Sequence, residues 1–167
     1  MIQLPLDPRA ITTVDVRPPG ERDEWEMSWY RERLLDPALI TAGVVVVVKG
    51  VGYLAVPVGG LRRGGYVNVA DDVTTRCLHE ALTGRDGFPR VRVRWSLCPS
   101  VCHTVIWGDE PPRDDEDDVA QGRFYGYSEE AINRFVEELA HSTRPRESQE
   151  TGSSACSSTS RTNSKRL

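Results

Sequence analysis

The chain has 167 residues, 28% charged and 38% hydrophobic, with a formal net charge of −4; these values exclude a polycation, an acidic solvating chain and a long repeat array, and they fit one globular domain. Of the 21 basic residues, 19 are Arg and only Lys49 and Lys165 are Lys, a skew that a GC-rich genome produces irrespective of function. The longest apolar stretch, 42–48, has seven residues, where a membrane helix needs roughly 20.

Nothing resembles an export leader, so the expectation is a cytoplasmic protein whose Cys77, Cys98, Cys102 and Cys156 stay reduced. Residues 1–20 carry four prolines and read as an extended arm, with one short edge strand within 11–16. Residues 21–141 form the expected single domain. From 142 to 167, eight Ser and four Thr with three apolar residues cannot bury enough surface to offset the entropy of ordering, so this tail is expected to be disordered.

Within the domain, 21–35 predicts a helix stopped by Asp36-Pro37. Met27, Tyr30 and Leu34 share one stripe at 100° per residue; Trp25 and Trp29 lie nearly opposite and need a cover, either the folded-back arm or a partner. Five valines at 44–48 predict a strand buried on both faces. A glycine turn at 50–52 leads to a strand at 53–58, with Pro57 marking an edge or bulge. The loop 59–65, Gly-Gly-Leu-Arg-Arg-Gly-Gly, precedes a strand at 66–69, and Asp71 or Asp72 caps a helix stopped by Gly84.

Two further strands, 90–97 and 101–107, have a register set by pattern. Pairing Leu97 with Val101 opposes Trp95 to His103 and Val93 to Val105, whereas a one-residue slip sets arginines beside Val105 and Trp107. A last helix starts at Ser128, with Ile132, Phe135, Val136 and Leu139 facing the core. The order α-β-β-β-α-β-β-α predicts an α+β fold, a mostly antiparallel sheet of about five strands with helices on one face.

By segment the charge is −3 for 1–42, +4 for 43–108, −6 for 109–118, −2 for 119–141 and +3 for the tail. The basic centre holds an arginine ladder, Arg90, Arg92 and Arg94 at period two, and Arg62 and Arg63 at the tip of the glycine loop beside Gly64 and Gly65. Guanidinium forks match phosphate oxygens, and glycine-freed amides approach anions closely; a solvated sheet face is the plain alternative. The acidic run 109–118 begins beside Arg90, where it can neutralise the ladder, cover it until a ligand displaces it, or simply project as a loop. Cys98, Cys102 and His103 invite a metal reading, but adjacent residues on a strand point to opposite faces, so Cys102 and His103 cannot share one ion. No cofactor motif is present. The aromatics of 122–127 read as packing before the last helix.

The strings Val56-Pro-Val-Gly-Gly60, Arg62-Arg-Gly-Gly-Tyr66, Gly87-Phe-Pro89, Arg92-Val-Arg-Trp-Ser96, Cys102-His-Thr-Val105 with Trp107-Gly108, and Gly122-Arg-Phe-Tyr-Gly-Tyr-Ser128 resemble a family of short actinobacterial proteins, best known from streptomycetes, grouped as a domain of unknown function. The resemblance spans about residues 25–140 and brings no catalytic residues with it. Three functions follow from the residues. The first is a non-enzymatic, regulatory binding protein for nucleic acid or another polyanion through Arg62, Arg63, Gly64, Gly65, Arg90, Arg92 and Arg94. The second is a protein-interaction module or homodimer using Trp25 and Trp29. The third is an enzyme on a phosphorylated small molecule using Arg62, Arg63 and His103.

Overall fold

Five consecutive valines leave no polar face, and the fold covers them from both sides. The computed structural model describes residues 12–98, 101–113 and 117–142; the N-terminal arm up to residue 11 and the tail from 143, with Cys156, lie outside these. Val14–Arg17 (β1), Val44–Val48 (β2) and Val51–Ala55 (β3) form an antiparallel sheet with β2 in the middle. Val46 and Val48 pack with Ala55, Leu78 and Trp107, while Val45 packs with Leu54, Tyr127 and Ile132. Because neighbouring strand residues point to opposite faces, this sheet separates two cores.

The β2–β3 turn is Lys49-Gly50, since Val48 pairs with Val51. Both turn residues have positive φ, 52° and 80°, as the tight hairpin turn that matches strand twist requires. β3 stops at Ala55 and not at 58, because Pro57 has no N–H to donate and Val58 donates instead to the Gly87 carbonyl at 2.9 Å. The chain therefore leaves the first sheet, and Gly64–Val69 (β4) enters a second one with Arg92–Arg94 (β5) and His103–Gly108 (β6), in the order β4-β6-β5. The α+β class and the antiparallel pairing are those read from the sequence; the strands divide between two three-stranded sheets in place of one sheet of about five. The β5–β6 register is the expected one, with Arg92 opposite Ile106, Val93 opposite Val105 and Arg94 opposite Thr104.

The helix expected over 21–35 is a 3₁₀ turn, Glu21–Asp23, followed by Glu24–Arg31 (α1) and, after Pro37, a short helix Ala38–Thr41 (α2). Asp72–Leu82 (α3) is capped by Asp71, whose side chain accepts from the Thr74 N–H at 3.0 Å. Asp118–Phe124 (α4) occupies sequence that reads as loop, and Gly122 explains it: a Cβ there would lie 2.6 Å from Ile132 Cγ1, so only glycine lets α4 rest on Glu129–Ser142 (α5). The helices are not gathered on one face. Leu78 and Leu82 of α3 enter the first core, whereas Met27, Trp29 and Tyr30 of α1 and Ile132 of α5 enter the second. On α5, Ile132 is fully buried and Phe135 partly so, but Val136 and Leu139 are 38% and 39% exposed, so its docked face is shorter than the expected stripe. None of the described helices is long and apolar enough to cross a membrane.

A half-buried ion pair ties β1 to the start of α1. Arg17 donates to both Asp23 oxygens at 2.6 and 2.9 Å, and the Gly20 N–H donates to Asp23 at 2.9 Å. The Arg17 hydrogen bond holds the Asp23 carboxyl below its usual range against the opposing effect of burial. A carboxyl with a lower folded than unfolded pKa stabilises above the unfolded value and loses that contribution as pH falls through the folded one. Asp23→Asn is thus expected to lower Tm at neutral pH, with the gap from the natural protein closing as pH falls below about 4. A gap that stays constant across a thermal-melt pH series would contradict this.

Candidate anion-binding surface

The end of β6 is where the basic and acidic segments meet. Gly108 turns the chain with φ of +90°, its N–H donating to the Pro89 carbonyl at 2.7 Å, which brings the approach to β5 alongside. Arg63 is held by its own backbone, its N–H donating to the Phe124 carbonyl and its carbonyl accepting from the Asp109 N–H, both at 2.9 Å.

Three guanidinium groups then converge. Arg63 donates to Asp109 Oδ2 through Nε at 3.0 Å, with a second nitrogen 2.9 Å away. Arg90 donates to the other oxygen of Asp109 and, through Nε, to the Gly108 carbonyl at 3.2 Å. Arg92 reaches the Gly108 carbonyl at 3.3 Å, the Asp109 carbonyl at 3.1 Å and Glu110 Oε2 at 2.9 Å. The Arg63 hydrogen bond, with the charge of Arg90 behind it, pulls the Asp109 carboxyl below the ordinary range. The start of the acidic run thus does neutralise part of the ladder, while residues 114–116 lie outside the described residues.

Arg94 is exposed and makes no ion pair among the described residues. Arg76 of α3, which the sequence does not mark, is exposed and places its guanidinium 5.4 Å from the centre of the Trp95 ring. Trp95 also meets His103 edge-on at 5.0 Å, the cross-strand pair expected from the register. His103 Nδ1 accepts from the Ser96 N–H at 3.1 Å, so Nε2 carries the proton and donates to Asp72 at 2.7 Å. A groove of about 460 Å³ between α3 and β5 is lined by Arg76, His79, Glu80, Arg92, Trp95 and neighbouring valines. A separate apolar cleft of about 670 Å³, lined by Leu35, Leu61, Phe124 and Tyr127, shares Arg63 with the basic cluster.

Several expected site residues lie elsewhere. Arg62 is 3% exposed; it donates to the Tyr125 carbonyl at 2.6 Å and the Val56 carbonyl at 3.4 Å, and is a core residue rather than a loop tip. Gly64 and Gly65 are buried in β4 opposite Gly108 and Trp107. A Cβ on them would lie 2.8 Å from the Phe124 ring and 2.5 Å from the Trp107 indole, so their bareness serves packing and not approach to an anion. Trp29 is covered by Tyr127, ring to ring at 6.2 Å, and by Arg33 at 4.2 Å; among the described residues this cover comes from the α4–α5 connection, drawn in by the Leu34–Tyr127 bridge, while the arm up to residue 11, the expected cover, lies outside them. Trp25 is 70% exposed.

Cys98 and Cys102 are exposed, His103 is engaged as above, and among the described residues no three His, Cys, Asp or Glu side chains group as metal ligands. The trio considered for a phosphorylated substrate does not converge: Arg62 is internal, and His103 and Gly108 stand at opposite ends of β6, roughly 16 Å apart at the rise of a strand.

Neither the curated proteins nor the solved structures offer a match to this chain. A family model described as a family of unknown function, DUF6302, matches residues 18–162, which take in the arginine cluster, the α3–β5 groove and both cores; the chain belongs to that family.

Proposed function

We propose that the protein is a non-enzymatic, cytoplasmic binding module for a polyanion, with nucleic acid as the ligand class, acting through Arg63, Arg90, Arg92 and Arg94. The observation that carries this reading is the convergence of Arg63, ahead of β4, and of Arg90 and Arg92, at the start of β5, on Gly108–Glu110. Three guanidinium groups face two carboxylates there, and Arg94 adds a further cation. The carboxylates do not preclude a ligand. Arg63 and Arg90 are each 65% exposed and Glu110 is 80% exposed, and exposed ion pairs contribute about 0–1 kcal/mol each. A phosphate chain that engages several arginines at once can therefore replace them.

The test is a salt titration with labelled duplex DNA and long-chain polyphosphate. For three to four phosphate contacts, affinity should fall about a hundredfold between 50 and 200 mM salt, and each arginine removed should reduce the logarithmic salt slope by about one. The triple variant Arg90→Ala, Arg92→Ala, Arg94→Ala should bind about tenfold or more weakly while keeping its far-ultraviolet circular dichroism. Absence of binding by the natural protein at low salt would overturn the reading. The exposure of Trp25 favours a second one, contact with a protein or with a second copy through the start of α1; a Trp25→Ala variant whose sedimentation matches a monomeric natural protein would remove the self-association form of it.

A further inference from the structure

We propose that the groove between α3 and β5 takes an unstacked base against Trp95, so that the preferred ligand is single-stranded nucleic acid; this rests on the polyanion reading above. Trp95 lies on the face of β5 that holds Val91 and Val93 half-buried in the core, yet it keeps 43% of its surface exposed. Its ring is braced from one side by His103, whose two ring nitrogens are both engaged, by Ser96 and by Asp72. A flat aromatic held in one orientation loses little freedom when a base stacks on it.

The charges around it suit a nucleotide. Arg76 rests on the ring without an ion pair among the described residues, so it can swing from the ring to a phosphate or stay as the second wall of the stack. Arg92 lines the same groove and is also a member of the Gly108–Glu110 cluster, which joins the aromatic platform to the basic surface. Glu80 in the groove offers an acceptor to an exocyclic amino group. Arginine beside an accessible aromatic is the combination that binds single strands, and stacking requires a base face that a paired duplex does not present. An acidic peptide would satisfy the arginines but make no use of the ring.

Fluorescence anisotropy with a labelled mixed-sequence single strand, as DNA and as RNA, its duplex, and long-chain polyphosphate tests this on the full chain. The single strands should bind about tenfold tighter than the duplex, and Trp95→Ala should weaken them about tenfold while changing polyphosphate binding less than about twofold. Trp95→Phe, which keeps an aromatic face and guards against misfolding of the alanine variant, should retain most of the affinity. Equal binding of single strand and duplex, or a folded Trp95→Ala that binds every probe as the natural protein does, overturns the single-strand proposal and leaves the polyanion reading intact. Failure of every probe, polyphosphate included, overturns both.

Discussion

Replacing Arg62 with alanine is expected to lower the stability of the fold by about 3–5 kcal/mol, a large share of what a domain of this size possesses. The side chain is buried, its guanidinium lies 5.7 Å from the Tyr30 ring centre, and no carboxylate pairs with it among the described residues. It joins three parts of the chain: α1 through Tyr30, the end of β3 through the Val56 carbonyl, and the α4–α5 connection through the Tyr125 carbonyl. Burial pushes the Tyr30 and Tyr127 phenols upward, and the Arg62 charge opposes that rise in both.

Truncation leaves a cavity and takes the guanidinium donor away from the Tyr125 carbonyl, each costing about 1–3 kcal/mol. The Val56 carbonyl is spared, because the Trp107 indole N–H still donates to it at 3.1 Å. Arg62→Met fills the space and removes the buried charge together with its desolvation, so it should cost less than alanine. Urea unfolding followed by circular dichroism measures both variants. An Arg62→Ala protein as stable as the natural one, but defective in polyanion binding, would return Arg62 to the surface role its sequence neighbourhood implies.

That neighbourhood shows what the sequence can and cannot carry. Arg62 and Arg63 look equivalent in a glycine-rich loop, but adjacent residues of an extended chain point opposite ways, and one enters the core while the other reaches Asp109. Nothing local decides which. The register of β5 and β6 is legible because a slip would bury arginines, and the caps at Asp71 and Ser128 are legible because a short polar side chain precedes a periodic stretch. The splitting of the strands into two sheets is less so. It depends on where the chain leaves β3, and although Pro57 marks the place, the Val58–Gly87 hydrogen bond that redirects the chain comes from 29 residues away. Arg76 is hidden for the same reason: its significance lies in Trp95, on another element. The meeting of the acidic run with the arginine ladder is legible in outline, since both flank the end of one strand; that Asp109 bridges Arg63 and Arg90 depends on the turn at Gly108.

Gly108→Ala is expected to cost about 4 kcal/mol and to remove polyanion binding as well, because it acts on the fold and the surface together. Two effects add. The φ of +90° is one that side-chain-bearing residues rarely adopt, a strain of about 1–3 kcal/mol, and a Cβ there would lie 2.6 Å from the Gly64 Cα and 3.0 Å from Val58 Cγ1, and against the Arg63 carbonyl. Backbone atoms cannot rotate aside as a side chain does, so β4 must retreat from β6. The Gly108 carbonyl is also the acceptor shared by Arg90 and Arg92, and moving it scatters the guanidinium groups that the proposed surface gathers. Gly60→Ala is the comparison, since its φ is also positive, +54°, but nothing lies within 4 Å of the added carbon; only the conformational cost remains, about 1 kcal/mol. Thermal melts and polyphosphate binding on the two variants separate the effects. Gly60→Ala should keep binding with a small loss of Tm, Gly108→Ala should lose both, and equal behaviour of the two would show that the crossing at Gly108 does not organise the arginines.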